Sequence, residues 1–299
     1  MRVVVALGGN ALLRPGEPLT EETQRRNVKV AAKAVHTLTR DHEVIVTHGN
    51  GPQVGLLALE AEAYQDVPPY GLDILVAETQ GMIGYMLEQA LRNEMPGRPL
   101  ATLLTSVLVD PADPAFEKPA KPVGPTYPQD VARRLAAERG WQVAPTAGGF
   151  RRVVASPEPM ALLEIDAVRV LVDAGVLVIC AGGGGVPVVE TADGRLEGVS
   201  AVVDKDLSSA RLAESILADR LLLLTDVPCV YEAWGTPDAW PLSRVSVSDL
   251  RTKSFAAGSM GPKVEAACQF VERTGGEAVI GALDDAMDLL RGLAGTTVH

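Results

Sequence analysis

The stretch that decides the fold is RVVVALGGN at residues 2–10, in which a short and mostly apolar run at residues 2–7 is followed by two glycines and an asparagine. An unbroken apolar run of this length is typical of a strand in a sheet covered by helices on both faces. The pattern recurs further along the chain, at residues 43–47, 100–109, 176–181, 221–225 and 277–281. Amphipathic segments lie between these runs, at residues 23–39, 72–91, 165–174, 207–217 and 264–274. This alternation predicts an α/β sandwich with a parallel or mainly parallel sheet.

The composition is that of an ordinary globular protein. A chain of 299 residues can form one large core or two smaller lobes. Apolar residues make up 47%, and no apolar run reaches the roughly 18 residues of a membrane span. The first apolar run is also too short for a signal-peptide core, so we expect a cytoplasmic protein without a membrane partner. The three cysteines have no metal-ligand or disulfide spacing and are predicted to be reduced thiols.

The net charge of −11 disfavours nucleic acid and anionic membranes as partners, because both require a basic surface that displaces counterions. A small anionic substrate is still compatible with this charge. Only seven residues are lysines, against twenty arginines, so a lysine beside a glycine-rich turn is unlikely to be there by chance.

Residues 110–160 interrupt the regular alternation with nine prolines around one helical segment near residues 130–139. A segment this long without regular elements is rarely idle inside a compact domain. We therefore predict an inserted subdomain or lid. The alternative is an ordered decoration without a role.

Glycine clusters follow three of the predicted strands. They are Gly8-Gly9-Asn10, Gly49-Asn50-Gly51 and the four glycines 182–185. Glycine allows the backbone to approach an anion closely, and ligands of open α/β sheets bind at the carboxyl ends of strands. Any one cluster is also explained by a tight turn, but three in series favour a phosphate-binding cradle.

Two common nucleotide-binding patterns do not account for these loops. The chain has no GxxxxGK[ST] motif. A dinucleotide site that starts at Gly182, with Asp204 as the ribose acid, requires a crossover helix between them. Residues 190–195 have instead the composition of a polar turn, which argues against this alternative.

Two lysines stand at predicted helix starts. Pro262 suits the first position of a helix, which places Lys263 in the first turn. A cation there opposes the helix dipole unless an anion lies beside it, so a bound phosphate is indicated. Lys205 lies between Asp204 and Asp206, either of which can cap the next helix. A solvated cap is the alternative for this tripeptide alone.

His48 stands at the end of the second predicted strand. A single histidine at a strand end is more often structural than catalytic.

Several motifs together resemble those of the carbamate kinases, within the broader amino acid kinase family. They are ALGGNAL at 6–12, HGNGPQVG at 48–55, QGMIGY at 80–85, KPVG at 121–124, GFRRVV at 149–154, AGGGGVP at 181–187, DKD at 204–206 and GSMGPK at 258–263. The resemblance extends over nearly the whole chain.

This resemblance implies an open αβα sandwich around a mainly parallel, about eight-stranded sheet, with a protruding inserted lid. It implies an N-terminal lobe, residues 1–195 with the lid at about 110–160, that binds carbamate or carbamoyl phosphate. A C-terminal lobe, residues 196–299, would bind ATP or ADP. Members of the family are usually homodimers.

The resemblance also assigns roles to particular residues. Lys205 and Lys263 match the phosphate-bridging lysines, and Asp206 matches the aspartate that organises them. The implied substrate-binding residues are Gly8, Gly9, Asn10, Gly49, Asn50, Gly51 and the lid lysine Lys121. The implied nucleotide-binding residues are Gly183, Gly184, Val227, Tyr231 and Met260. Mg²⁺ is expected to be held through nucleotide phosphates and water, because the sequence offers no obvious carboxylate cage.

The reaction implied is ATP + carbamate ⇌ ADP + carbamoyl phosphate. Another acyl-phosphate kinase of the same family, such as an acetylglutamate kinase, is the nearest alternative. A non-catalytic nucleotide-binding sensor is a more remote one.

Overall fold

The structure is a computed structural model that describes residues 1–14, 16–64, 66–146, 148–256 and 258–299, without the side chains of Asn10 and Ala11. The described strands are β1 Arg2–Leu7, β2 Glu43–His48, β3 Leu100–Thr102, β4 Ser106–Val109, β5 Lys121–Tyr127, β6 Gln142–Thr146, β7 Gly149–Val154, β8 Pro159–Leu162, β9 Leu177–Ile179, β10 Val186–Glu190, β11 Leu196–Gly198, β12 Arg220–Thr225, β13 Val230–Glu232, β14 Trp240–Leu242, β15 Arg244–Val245, β16 Glu277–Ala282 and β17 Thr296–Val298. The described helices are α1 Gly9–Leu12, α2 Glu21–Leu38, α3 Gly51–Ala63, α4 Leu72–Glu94, α5 Gln129–Arg139, α6 Ile165–Asp173, α7 Lys205–Ser215, α8 Val247–Arg251, α9 Met260–Thr274 and α10 Ala286–Arg291.

An eight-stranded sheet forms the centre of the molecule, in the order β15-β17-β16-β12-β1-β2-β9-β3. Its central strands pair in parallel, and β17 is antiparallel to β16 at one edge. The predicted mainly parallel, eight-stranded α/β fold is therefore confirmed. The sheet is continuous from β12 through β1 to β2, so it crosses the proposed lobe boundary near residue 195.

Strand β1 shows why a continuous apolar run was needed. Val3, Val5 and Leu7 pack with helices α2, α4 and α10 on one face. The intervening Val4 and Ala6 pack with α6, α7 and α9 on the other. Successive side chains of a strand point to opposite faces, so a strand covered on both sides must be apolar at every position. All five residues are completely buried.

The predicted segments agree with the observed elements to within a few residues, with two exceptions. Residues 100–109 form two strands instead of one: β3 belongs to the central sheet, whereas β4 belongs to a separate sheet of order β11-β10-β4-β8. The chain leaves the central sheet at Thr105, whose backbone N–H and carbonyl are bound by the side chain of Gln80. Helix α9 begins at Met260, so Pro262 is its third residue and not its first. Lys263 still lies in the first turn.

The proline-rich insert has its own small architecture. Strands β5, β7 and β6 form an antiparallel sheet beside helix α5, which matches the predicted inserted subdomain. The insert lies on α3, where Gly55 approaches Gly124 so closely that a Cβ at Gly55 would be 2.6 Å from the Gly124 backbone. Glu62 of α3 forms ion pairs with Arg139 and Arg152 of the insert.

Residues 190–195 connect β10 and β11 in an antiparallel hairpin. No crossover helix follows the four-glycine loop at this point, and the dinucleotide-binding alternative is therefore wrong. Among the helices in the described parts of the chain, none is long and apolar enough to span a membrane.

Candidate active site

A cavity of about 680 Å³ opens at the carboxyl ends of β1, β2 and β12. It is bounded by the loops that follow these strands, the start of the insert, and the starts of α7 and α9. The predicted site residues on its wall are Gly8, Gly9, Gly49, Asn50, Gly51, Lys121, Gly183, Lys205, Asp206, Val227, Tyr231, Met260 and Lys263. Residues that are far apart in sequence thus surround one space.

The glycine loops meet within this space because they lack side chains. A Cβ at Gly49 would lie 3.1 Å from the Gly9 nitrogen and 3.3 Å from Lys205 Cδ. Gly183 has a positive φ of 64° and lies against the side-chain amide of Asn50. Helix α3 begins at Gly51, and the first N–H groups of a helix have no partner inside it. Such a helix start favours an anion.

Two of the predicted residues are not placed on the cavity wall. Gly184 lies behind it, where a Cβ would be 2.6 Å from the Val203 carbonyl oxygen and where its own carbonyl accepts a hydrogen bond from Ser208. Gly184 therefore shapes the turn and does not face the cavity. The side chain of Asn10 lies outside the described residues, and its predicted contact with substrate is not tested.

A single carboxylate joins the two predicted lysines. Lys205 Nζ donates to Asp206 Oδ1, and Lys263 Nζ donates to Asp206 Oδ2 at 2.9 Å. Lys205 begins α7 and Lys263 lies in the first turn of α9, and these two helices pack against each other. All three side chains are nearly buried. This is the arrangement that the sequence resemblance implied for them.

Electrostatics within this cluster shift all three pKa values. Burial raises the pKa of Asp206, but the attraction of Lys205 and Lys263 is stronger and holds it well below its usual range. Burial and the repulsion of Lys263 lower the pKa of Lys205 despite the attraction of Asp206. For Lys263 burial also lowers the pKa, but Asp206, Asp204 and Asp226 outweigh it and raise the pKa overall. Asp206 is therefore an ionised bridge between two cationic groups.

Asp204 and Lys121 form a second ion pair at the cavity. Asp204 Oδ1 accepts hydrogen bonds from the backbone N–H groups of Asp206, at 2.9 Å, and Leu207. It is thus the N-cap of α7, which leaves Asp206 free to bind the lysines. Asp204 Oδ2 accepts from Lys121 Nζ at 2.5 Å. The insert therefore reaches across to the body of the protein at this point.

His48 ends strand β2 but does not line the cavity. Burial lowers the pKa of His48 to about 4; the Gly49 carbonyl opposes this shift, and the positive charge of Lys205 adds to it. A Cβ at Gly182 would touch the imidazole ring, so the ring packs directly against the four-glycine loop. These contacts support a structural role.

The part of the cavity near strand β13 contains residues that were not predicted from the sequence. Trp234 lies beside Tyr231, with ring centroids 5.0 Å apart, and both line the wall. Asp226, Cys229 and Phe255 also line this end. The available signal was an aromatic pair three residues apart after an apolar run, but the pattern is also typical of a packed hairpin. Its position at the cavity depends on how β13 and β14 fold back.

The donor groups of the cavity bear on how Mg²⁺ would be bound. In the portions of the chain that the structure covers, no three acidic, histidine or cysteine side chains group together as a metal site. Asp206 is occupied by two lysines and Asp204 by Lys121. These residues fit a metal ion that enters with the phosphates of a nucleotide and keeps water and phosphate oxygens as its ligands.

Comparison with known proteins agrees with the fold. The sequence profile described as the Amino acid kinase family matches residues 1–282, and the chain belongs to this family. Within the family, the chain is similar along its full length to proteins named carbamate kinase. The one from Haemophilus influenzae is 51% identical over 100% of this chain and 96% of its own length, and the one from Rhizobium meliloti is 52% identical over 100% and 93%.

A solved structure gives the same result. Carbamate kinase from Giardia lamblia bound to AMP-PNP is 40% identical and covers 99% of this chain and 98% of its own, with a TM-score of 0.90. The resemblance inferred from the motifs is therefore confirmed. The chain is a kinase, and the αβα fold expected for it is present.

Proposed function

We propose that this protein is a carbamate kinase that catalyses ATP + carbamate ⇌ ADP + carbamoyl phosphate. The observation that carries the proposal is the cluster of Lys205, Asp206 and Lys263 in a cavity surrounded by glycine loops. The full-length similarity to enzymes named carbamate kinase supports the choice of acceptor.

The cluster suits this reaction because the attacking oxygen of carbamate is already anionic and needs no general base. Phosphoryl transfer passes through a loose transition state in which negative charge is spread over the transferred group. Fixed cations and N–H groups stabilise that charge without having to reorganise. Lys205 and Lys263 are proposed to provide the cations. Asp206 is proposed to hold the two ammonium groups at a fixed separation.

The positions along the cavity support a division of labour. Gly8, Gly9, Gly49 and Gly51, with the predicted Asn10 and Asn50, are proposed to bind carbamate or carbamoyl phosphate at one end. Val227, Tyr231 and Met260 at the other end, with Gly183 beside Asn50, are proposed to bind ADP or ATP. The cavity is continuous between the two ends, and the lysine cluster lies on its wall. The lobes 1–195 and 196–299 remain the proposed units of substrate and nucleotide binding.

Three further points rest on the family resemblance. Mg²⁺ is proposed to arrive with the nucleotide, where it neutralises phosphate charge. The protein is proposed to be a homodimer. It is also proposed to act in the cytoplasm on small molecules, without nucleic acid or membrane.

The test is ATP formation from ADP and Mg²⁺, with carbamoyl phosphate and acetyl phosphate supplied in parallel as donors. Spontaneous breakdown of each donor is subtracted with samples that lack protein. Rapid ATP formation with carbamoyl phosphate and little with acetyl phosphate is expected. ATP formation from neither donor would refute the proposal and favour an acetylglutamate-type kinase or a nucleotide-binding sensor.

A further inference from the structure

The charges on the cavity wall balance one another before any substrate is present. Among the described lining residues there are three lysines and three aspartates. Lys121 is paired with Asp204, and Lys205 and Lys263 share Asp206. A phosphate anion that enters this site therefore competes with these carboxylates for the N–H groups of the lysines.

Lys121 is the lysine best placed to change partners. Its side chain is 33% exposed, compared with 10% for Lys205 and 12% for Lys263. Lys205 and Lys263 are both held by the buried carboxylate of Asp206, at the starts of two packed helices. Lys121 instead begins strand β5 of the insert, and its only ion pair in the described structure is with Asp204.

The ion pair of Lys121 with Asp204 lies close to a backbone hydrogen bond that also joins the insert to the body of the protein. Lys121 lies opposite Val154 in the pairing of β5 with β7. The next residue, Ala155, accepts a hydrogen bond from the Val202 N–H at 3.0 Å, and Val202 lies two residues before Asp204. The Val202 amide thus lies beside the segment that the ion pair holds, and its hydrogen exchange can report on that contact.

We propose that Asp204 is a positioning residue that holds Lys121, and with it this end of the insert, until a substrate anion replaces the carboxylate as the partner of Lys121. The proposal deepens the proposed function, because it concerns how the same cavity admits its phosphate-bearing substrate. Asp204 competes with the anion for Lys121, so it keeps the ligand-free insert in place and weakens anion binding.

The two roles of Asp204 can be separated because each uses a different oxygen. Oδ1 caps α7, whereas Oδ2 binds Lys121. In Asp204→Asn, the amide oxygen keeps the cap, and the amide nitrogen facing Lys121 cannot accept a hydrogen bond. Asp204→Ala removes both contacts. Thermal unfolding of both variants identifies the loss of the cap, which we expect for Asp204→Ala alone.

The first arm of the test is amide hydrogen exchange at Val202 in the ligand-free protein. We expect Asp204→Asn to accelerate this exchange by roughly threefold to tenfold, because it removes one partly exposed ion pair. Asp193→Asn is the matched control: it breaks an exposed pair with Arg195 in the hairpin turn and is expected to leave the Val202 amide unchanged.

The second arm is calorimetric titration with inorganic phosphate, in wild type, Asp204→Asn, Lys121→Gln and the double variant. We expect Asp204→Asn to bind phosphate roughly threefold to tenfold more tightly when Lys121 is present, and to have little effect in the Lys121→Gln background. A similar gain in both backgrounds would mean that Asp204 acts only through its charge, and it would overturn the proposal.

Exchange at Val202 that is the same in Asp204→Asn and wild type would also overturn the proposal. Neither arm depends on turnover, and the exchange arm needs no ligand. A protein that shows the coupling but forms no ATP from carbamoyl phosphate would refute the proposed function and leave the role of Asp204 in place.

Discussion

Acid should destabilise this protein through His48 in particular. The imidazole is 1% exposed and its pKa is lowered from 6.5 to about 4, mainly by burial. The unfolded chain therefore binds this proton more readily than the folded chain, and stability is lost as the pH falls from 6.5 towards 4. The full effect of such a shift is about 3 kcal/mol. Between pH 7.5 and pH 5.0, the part contributed by His48 is about 2 kcal/mol.

The variant His48→Asn isolates this contribution. His48 Nδ1 donates to the Gly49 carbonyl oxygen at 3.2 Å, and the asparagine amide nitrogen takes the place of Nδ1 but cannot be protonated. The smaller side chain leaves a cavity, which lowers the free energy of unfolding equally at both pH values. Other titrating groups act in both proteins and cancel in the comparison.

The measurement is urea unfolding, followed by circular dichroism, of wild type and His48→Asn at pH 7.5 and pH 5.0. Wild type is expected to lose about 2 kcal/mol more than the variant between the two pH values. An equal loss in both proteins would show that His48 is not buried in its neutral form, and the reasoning would fail.

The same variant decides whether His48 takes part in catalysis. A general base contributes typically about 10²-fold to 10⁴-fold to a rate. We expect ATP formation by His48→Asn at pH 7.5 to fall by less than about tenfold, because the ring does not line the cavity and carbamate needs no base. A loss within the general-base range would contradict both the structural role and the proposed mechanism.

Three further perturbations test the cavity and the insert. Lys205→Met and Lys263→Met are each expected to lower kcat/KM for carbamoyl phosphate by roughly 10²-fold to 10³-fold, a larger effect than any change in Tm; a large fall in Tm with nearly unchanged kcat/KM would indicate that the lysines only stabilise the fold. Gly55→Ala is expected to lower the free energy of unfolding by about 1–3 kcal/mol, measured by urea unfolding, because its Cβ would meet the Gly124 backbone at 2.6 Å. Titration with ADP should change the fluorescence of Trp234, which lines the proposed nucleotide end; an identical change in Trp234→Phe would place the nucleotide elsewhere.

Matched controls are available on the same chain. Lys33→Met replaces an exposed lysine of helix α2 that does not line the cavity and is expected to keep near-normal turnover. Gly81→Ala lies on helix α4 with open space around its Cβ and is expected to stabilise the protein slightly, since alanine favours a helix over glycine. Trp240→Phe removes an exposed tryptophan that does not line the cavity.

Much of the fold was predictable from local patterns. The strand β1 was predicted with its observed bounds, because a two-sided sheet requires an apolar residue at every position. Helices α2, α4 and α6 were found from their amphipathic repeat. Residues 100–109 were wrongly joined into one strand, because both halves are equally apolar and the sequence does not record that the chain changes sheets at Thr105.

The candidate site divides in the same way. The sequence by itself placed lysines at the starts of two helices and glycines after three strands, since these features depend on residue type and spacing. It left open which aspartate caps α7. Only the tertiary structure brings Lys263 to Asp206, which lies 57 residues earlier in the chain, and turns Asp204 towards Lys121. It also shows that Gly184 lies behind the cavity wall and that Trp234 lines the cavity. Local patterns fix where a side chain lies on its own element, whereas its partner is decided by which elements pack beside one another.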